Sequence, residues 1–209
     1  VLHHNLYTNG IGYLDLLFDL KQVPEHLIPY LGILKSVLGY VDTAHYKYGE
    51  LFNEINARSG GITFGIQVFG DAQDNSRTIH VMGVRAKALY QDIPFVFGMI
   101  KEIIGTSCFD DEKRLYEILA KMKSRLQMSL AAAGHSTAVM RALSYFSENS
   151  NFQEKIAGIE FYKFIDEIEK KFQERKEELI SSLKELMLYV FRPENLVVSY
   201  TCLLYTSDA

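Results

Sequence analysis

The sequence lacks several features that would assign it to a class of protein at once. It has only two cysteines, Cys108 and Cys202, among 209 residues, which excludes a disulfide framework and favours a reducing compartment. Its formal net charge is −4, so no basic excess favours nucleic acid or an anionic membrane as a partner. No apolar run approaches the roughly 20 residues that a membrane-spanning helix needs. We therefore expect neither nucleic acid nor a membrane among its partners.

The composition is that of a folded chain with a sizeable core. Hydrophobic residues make up 48% of the sequence and the mean hydropathy is −0.02, which excludes an intrinsically disordered protein. The length predicts one large domain or a pair of small ones. The sequence begins with Val1 rather than methionine, and residues 1–4 have the character of a strand. We expect a fragment whose first residues already lie in a strand.

Residues 11–20 predict a strand with two different faces. Its odd positions include Tyr13, Asp15 and Asp19. Its even positions are small or apolar: Gly12, Leu14, Leu16, Phe18 and Leu20. Because side chains alternate across a strand, one face is apolar and the other carries carboxylates. This pattern predicts a sheet that is covered on one side only.

The residues that follow predict helices that cover the apolar face. A helix is expected from Pro24 onward, because proline suits a first helical turn. Leucines then repeat at helical spacing, at Leu27, Leu31, Leu34 and Leu38. A second helix is predicted over residues 46–57, with Leu51, Phe52 and Ile55 on its apolar side and Gly60-Gly61 as its C-cap.

The remaining elements complete the pattern of an α+β protein. Strands are predicted over residues 62–68, 78–88 and 196–201, with a turn at 70–76 between the first two. Helices are predicted over residues 92–104, 110–134 and 159–168 and from residue 135 onward, with a polar break at 147–151. Strands and helices occur in separate runs, which predicts an antiparallel sheet with helices packed on one face. The run 170–178 mixes both charges, which favours a solvated helix face.

No catalytic constellation is recognisable. The six histidines are His3, His4, His26, His45, His80 and His135. Metal ligation on a helix needs two ligands about one turn apart, as in H-x-x-E-H, and no such spacing occurs, so we expect structural or surface roles for all six. Cys108 lacks the flanking signature of a reactive thiol, and Gly60-Gly61 lacks the lysine of a phosphate-binding loop.

The polar face of the first strand has two interpretations. Asp15 and Asp19 lie about 13 Å apart at 3.3 Å per residue, which is too far for a retaining carboxylate pair. The face can simply contact solvent, which is the interpretation that the sequence favours. Alternatively it lines an enclosed cavity, in which case Tyr13, Asp15, Thr63 and Gln67 would contact a ligand.

Several blocks of the sequence together resemble one family. These blocks read TNGIGYLDLLFDL, YGELFNEINARSGGI, AAAGHSTAVMRALSYFS and GIEFYKFI. They are similar to the insulinase-like (pitrilysin, inverted zincin) metallopeptidases, and within them to the presequence-protease branch. The resemblance covers residues 1–201 and is to the non-catalytic associated domain that opens the C-terminal half.

The resemblance implies a metallopeptidase-like α/β roll in a larger enzyme. In such an enzyme two halves surround a closed chamber that admits small unfolded peptides. The zinc is held in the catalytic N-terminal half on a helix with H-x-x-E-H, and that half is the expected partner of this chain. Aligned with that motif, this sequence has Leu31, Leu34 and Lys35 at the first ligand, the base and the second ligand. Leucine offers no lone pair and a protonated lysine cannot ligate, so we expect no cofactor in this fragment.

The sequence thus predicts a structural domain of a zinc-dependent metalloendopeptidase that forms part of the chamber wall. One alternative is an assembly domain in the core subunit of a processing or respiratory complex with the same fold; H-x-x-E-H in upstream sequence would favour the protease. A free-standing peptide-binding module is a third. The expected location is the bacterial cytoplasm or an organelle matrix. Residues 1–201 are expected to form one domain that is incomplete at both ends, and residues 202–209 a non-native tail.

Overall fold

The fold is seen in a computed structural model that describes residues 1–70 and 78–202. The turn predicted at 70–76 therefore lies outside the described residues except for Gly70, and the tail does so from residue 203 onward. The strands are β1 (Leu2–Asn5), β2 (Ile11–Asp19), β3 (Ile62–Gly70), β4 (Thr78–Leu89) and β5 (Leu196–Cys202). The helices are α1 (Ile28–Val37), α2 (Tyr48–Arg58), α3 (Ile93–Thr106), α4 (Glu112–Ala132), α5 (Gly134–Leu143), α6 (Glu148–Ala157), α7 (Ile159–Lys170) and α8 (Phe172–Val190). The α+β class is confirmed.

The strands form one sheet in the order β1-β5-β2-β4-β3. Pairing is antiparallel between β2 and β4, β2 and β5, and β3 and β4. The prediction of an antiparallel sheet needs one correction, because β1 pairs with β5 in parallel, from Leu2↔Ser199 to Asn5↔Cys202. Almost the whole chain separates these two strands, so no hairpin fixes their direction, and the sheet is mixed.

The alternation predicted for β2 is confirmed. Leu14, Leu16 and Phe18 are at most 6% exposed and face the helices. The helix α1 lies over them and begins after a 3-10 turn at Glu25–Leu27. Its leucines and Val37 are fully buried, as the helical spacing predicts. Such a face is stabilised mainly by removing apolar surface from water.

Two predictions for α2 differ from the structure. Phe52 is 51% exposed, because only Leu51 and Ile55 of α2 reach the core. The same helix ends at Arg58 and its C-cap is Ser59, whose hydroxyl donates to Ile55 O at 2.6 Å, so Gly60-Gly61 is not the cap. Gly61 instead takes a φ of +96° as the chain turns into β3.

The predicted polar break at 147–151 is shifted, because α5 ends at Leu143 and residues 148–151 already belong to α6. Ser147 is the N-cap of α6, and its Oγ accepts a hydrogen bond from Ser150 N at 3.4 Å. Serine is a preferred N-cap because its side chain satisfies a free backbone N–H. The preceding helix α5 has no buried residue, and Val139, Leu143 and the following Phe146 are 56%, 45% and 88% exposed.

Candidate functional site

The four ligand candidates predicted from sequence lie on the open face of the sheet. Tyr13 and Asp15 are on β2, Thr63 and Gln67 are on β3, and β4 runs between these strands. The register Asp15↔Arg85↔Thr63 shows that three side chains share one cross-strand row. The structure therefore places all four candidates on the same surface, and Arg85 of β4 lies among them.

Arg85 joins three of the four candidates. Its Nε donates to Asp15 Oδ1 at 2.9 Å, and its Nη2 donates to Gln67 Oε1 at 2.6 Å. The Thr63 hydroxyl makes a longer contact, 3.5 Å, with the backbone oxygen of Arg85. The Arg85 and Asp15 side chains are 61% and 39% exposed, so their ion pair contributes little to stability. We call Asp15, Arg85 and Gln67 the polar triad.

A glycine makes the contact between Arg85 and Gln67 possible. Gln67 is opposite Val81 in the register, so its side chain must cross the neighbouring Gly83↔Gly65 pair to reach Arg85. A Cβ on Gly83 would lie 2.2 Å from Gln67 Nε2, well inside van der Waals contact. Glycine at this position therefore leaves a shallow trough in the sheet, along which the amide of Gln67 lies.

Tyr13 belongs to the next row and is not joined to the triad. It is paired in register with Lys87 on one side and Thr201 on the other. Its ring is 43% exposed, and no hydrogen bond links its hydroxyl to the described residues. Tyr13 thus extends the polar surface by one row, with an aromatic ring that a ligand could contact.

The side chains of this face include hydrogen-bonding groups that could contact a ligand. Arg85 has five N–H donors, and its Nη1 makes no hydrogen bond within residues 1–70 and 78–202, so it can donate to a carbonyl or carboxylate of a ligand. The same part of the chain contains no group of three His, Cys, Asp or Glu residues that could hold a metal ion. The open face of the sheet thus offers hydrogen-bonding groups, which are arranged around the shallow trough described above for the Gln67 amide.

Sequence reasoning missed Arg85, although a signal for it was present. In β4 the residues Met82, Val84 and Ala86 are buried, whereas Arg85 and Lys87 are exposed. This alternation, together with a β3–β4 hairpin, would have placed Arg85 on the same face as Asp15 and Thr63. The exact partner of Arg85 depends on the register of three strands, which alternation alone does not give.

The three residues aligned with the zinc motif do not fit a zinc ion. Leu31 and Leu34 are 0% exposed and belong to the core, and neither carries a lone pair. Lys35 is half-buried, and burial lowers the pKa of its ammonium group. The helix that carries them is closely packed, since a Cβ on Gly32 would lie 2.5 Å from the Phe161 ring.

Comparison with known proteins identifies the family. The family model described as Peptidase M-16C associated matches residues 1–168. The chain belongs to this family. It is thus a peptidase-associated domain. Protein HypA of Clostridium perfringens is 34% identical to this domain over 200 residues, which are 96% of this chain and 20% of that protein.

Two further relatives are named presequence proteases. The mitochondrial presequence protease of Yarrowia lipolytica is 24% identical over 90% of the peptidase-associated domain and 19% of that protein. Presequence protease 1, chloroplastic/mitochondrial, of Arabidopsis thaliana is 24% identical over 96% of the domain and 18% of that protein. The chain therefore spans about a fifth of the length of the curated relatives it matches.

A solved structure confirms the fold of the peptidase-associated domain. The crystal structure of a conserved protein from Enterococcus faecalis V583 superimposes with a TM-score of 0.66. The match covers 98% of this chain and 46% of that one at 11% sequence identity, so it concerns the fold alone. Within the described ranges, no helix has the length and apolar character needed to cross a membrane.

Proposed function

We propose that this peptidase-associated domain forms part of the wall of a peptide-binding chamber in a larger zinc-dependent metalloendopeptidase. The observation that carries the proposal is the polar triad, which presents hydrogen-bonding groups on a sheet face that no described helix covers. Two relatives are named presequence proteases, which supports proteolysis as the activity of the larger enzyme, and we propose small unfolded peptides as its substrates. One relative comes from a bacterium and another is named mitochondrial, and we propose the bacterial cytoplasm or an organelle matrix as the location.

The second part of the proposal is that the domain supports the catalytic half of the same polypeptide. An exposed apolar patch supports it, formed by Val139, Leu143, Tyr145 and Phe146 at and after α5. Patches of this kind mark surfaces that another protein surface covers. Because the relatives extend far beyond the matched region, the rest of the polypeptide is the occupant that we propose.

In this proposal the zinc ion belongs to the catalytic half and not to the present chain. Zinc would there activate a water molecule, whereas Leu31 and Leu34 only pack the core here. We predict that the 209-residue chain holds no stoichiometric zinc after dialysis and cleaves no fluorogenic peptide. One tightly held zinc per chain, with activity lost on adding a chelator, would contradict this division of roles.

Two substitutions in the polar triad of the full-length protein should change its preference for acidic or basic peptides in opposite directions. Asp15→Asn leaves the Arg85 guanidinium without its carboxylate, so we expect kcat/KM to shift in favour of acidic peptides over basic ones. Arg85→Gln leaves the carboxylate of Asp15 instead, so the shift should favour basic peptides. A shift of about threefold to tenfold corresponds to roughly 0.7–1.4 kcal/mol of differential binding. The measurement is kcat/KM for two fluorogenic peptides that differ only in the sign of their charges.

The matched control is Glu185→Gln, which removes a carboxylate on the exposed side of α8. It should leave the ratio of the two kcat/KM values unchanged. If neither triad variant changes that ratio more than the control does, the open face contacts solvent only. The unfolding midpoint of each variant should stay near that of the wild type, because the triad is exposed.

A further inference from the structure

A groove with a volume of about 690 Å³ lies on the helix side of the molecule. Its walls are α1, α4 and the first three residues of β3. Along α4 the lining runs from Arg114 to Ser129, which is about 22 Å at 1.5 Å per residue. The groove is therefore elongated along α4, which suits an extended ligand.

The floor of the groove is apolar. It includes Leu38, Ile118, Met122, Leu126 and Phe161. Met122 and Leu126 continue the buried stripe of α4 that begins at Leu115, but they are only half-buried because no described element covers them. Apolar surface of this kind becomes favourable for binding when a ligand removes it from water.

The rim of the groove has an excess of positive charge. Four basic residues line it, namely Lys35, Arg114, Lys121 and Arg125, against one carboxylate, Glu117. That carboxylate is 3.3 Å from Arg114. Lys35, Lys121 and Arg125 form no ion pair with any of the described residues. Since burial lowers the pKa of Lys35, a carboxylate brought beside its ammonium group would be favourable.

The groove also reaches the free edge of the sheet. In β3, Ile62 and Phe64 pack towards the helices, whereas Thr63 is on the open face with Arg85. The groove contacts all three residues, so it reaches the start of this strand. The strand β3 is the last of the sheet, and its outward backbone groups have no hydrogen-bond partner within the described ranges. Such an edge can pair with an added strand.

We propose that this groove binds an extended acidic peptide segment, which pairs with the edge of β3 and places its carboxylates against Lys35, Lys121 and Arg125. About six residues in extended conformation span 20 Å, which matches the length of the groove. An anionic amphiphile would satisfy the apolar floor but would leave the backbone groups of β3 unpaired. The site shares no residue with the polar triad and does not depend on the proposed chamber.

The direct test is fluorescence anisotropy with the 209-residue chain and labelled hexapeptides that alternate glutamate and valine. A second peptide has glutamine at every glutamate position. We expect the acidic peptide to bind at least about tenfold more tightly and to weaken with added salt, because charge-assisted contacts are screened. Equal affinity for the two peptides would overturn the proposal.

Variants of the chain locate the site. Lys35→Met keeps the length and the apolar stem of the side chain but removes its charge, and should weaken binding of the acidic peptide about tenfold. Arg125→Gln changes an exposed residue and should weaken it about threefold. The matched control Lys101→Met, on the exposed side of α3, should have no effect. Full binding by both groove variants would place the peptide elsewhere and contradict the assignment.

Pairing with β3 is tested by the peptide itself. N-methylation of alternate residues removes the hydrogen-bond donors of one edge while keeping every charge, and should abolish binding when the methylated edge faces β3. Two of these peptides, methylated in the two alternating registers, should therefore differ by at least about tenfold. If both methylated peptides bind like the parent peptide, the groove is not a strand-pairing site. The same conclusion follows if an anionic detergent below its critical micelle concentration binds while the acidic peptide does not.

Discussion

The two faces of the central sheet differ in almost every physical property, although they share the same strands. On the covered face Leu14, Leu16 and Phe18 are almost fully buried against the helices. On the open face the intervening Tyr13 and Asp15 remain accessible and take part in polar rows. Because the side-chain period is two, each residue of β2 belongs to one face only. The comparison implies that stability and the proposed ligand contact can be changed separately, residue by residue.

The largest expected effect lies on the covered side. Leu34→Ala should lower the free energy of unfolding by about 2–5 kcal/mol, because Leu34 is fully buried between α1 and its neighbours and truncation leaves a cavity. Leu188→Ala is the matched control, since Leu188 is also helical but 76% exposed, and should stay within about 0.5 kcal/mol of the wild type. Urea titration followed by circular dichroism measures both. Equal losses would mean that the burial of α1 is not what stabilises this layer.

The covered face is also the part of the molecule that the sequence predicts best. The leucines of α1 repeat at helical spacing and the even positions of β2 are apolar, so local periodicity specifies which side is buried. Periodicity fails where contacts are non-local. The parallel pairing of β1 with β5 joins Leu2 to Ser199, and no local pattern encodes such a contact. Phe52 shows a further limit, because a helix can carry an apolar residue that the core does not reach.

The open face was predicted in outline but not in detail. The sequence marked Asp15, Thr63 and Gln67, and the structure brings all three to Arg85. Alternation predicts the face of each residue but not the cross-strand register. It also does not show that Gly83 clears the path of the Gln67 side chain. The missing information is tertiary, since it depends on how three strands are aligned.

Replacing one glycine on each side of the sheet should change stability by an intermediate amount and compares the two faces directly. Gly32→Ala should lower stability by about 1–3 kcal/mol, because the new Cβ would meet the Phe161 ring at 2.5 Å and the backbone oxygen of Ile156 at 2.7 Å. Gly83→Ala should cost about 0.5 kcal/mol or less, because its Cβ meets mainly the end of the flexible Gln67 side chain. Thermal unfolding midpoints rank the stabilities of the two variants. A proton–nitrogen correlation NMR spectrum reports whether the side-chain amide of Gln67 moves. A Gly83→Ala variant that is as unstable as Gly32→Ala would contradict the view that the open face is loosely packed.

The smallest expected effects on stability come from replacing single carboxylates, one in the helical layer and one on the open face of the sheet. In the helical layer the Arg175 guanidinium and the Tyr30 hydroxyl both donate to Glu178, and together they lower the pKa of Glu178 to about 2. A carboxylate with a lowered pKa in the folded state stabilises the protein above its ordinary pKa, which is 4.5 here, and this contribution is lost as pH falls towards 2. Since the Glu178 side chain is 51% exposed, we expect a contribution of only about 1 kcal/mol after screening by solvent.

Glu178→Gln should therefore be less stable than the wild type by about 1 kcal/mol at pH 6, and the difference should shrink as the pH is lowered from about 4.5 to about 2. Asp15→Asn, the corresponding change on the open face, removes an exposed ion pair and should alter stability by at most about 0.5 kcal/mol at pH 6. Urea midpoints for the wild type and both variants at several pH values make this comparison. A Glu178→Gln deficit that stays constant down to about pH 2 would assign its cost to altered packing against Tyr30 rather than to the charge. A larger loss for Asp15→Asn than for Glu178→Gln would mean that the polar triad stabilises the sheet. The separation between a stabilising face and a face proposed to bind a ligand would then fail.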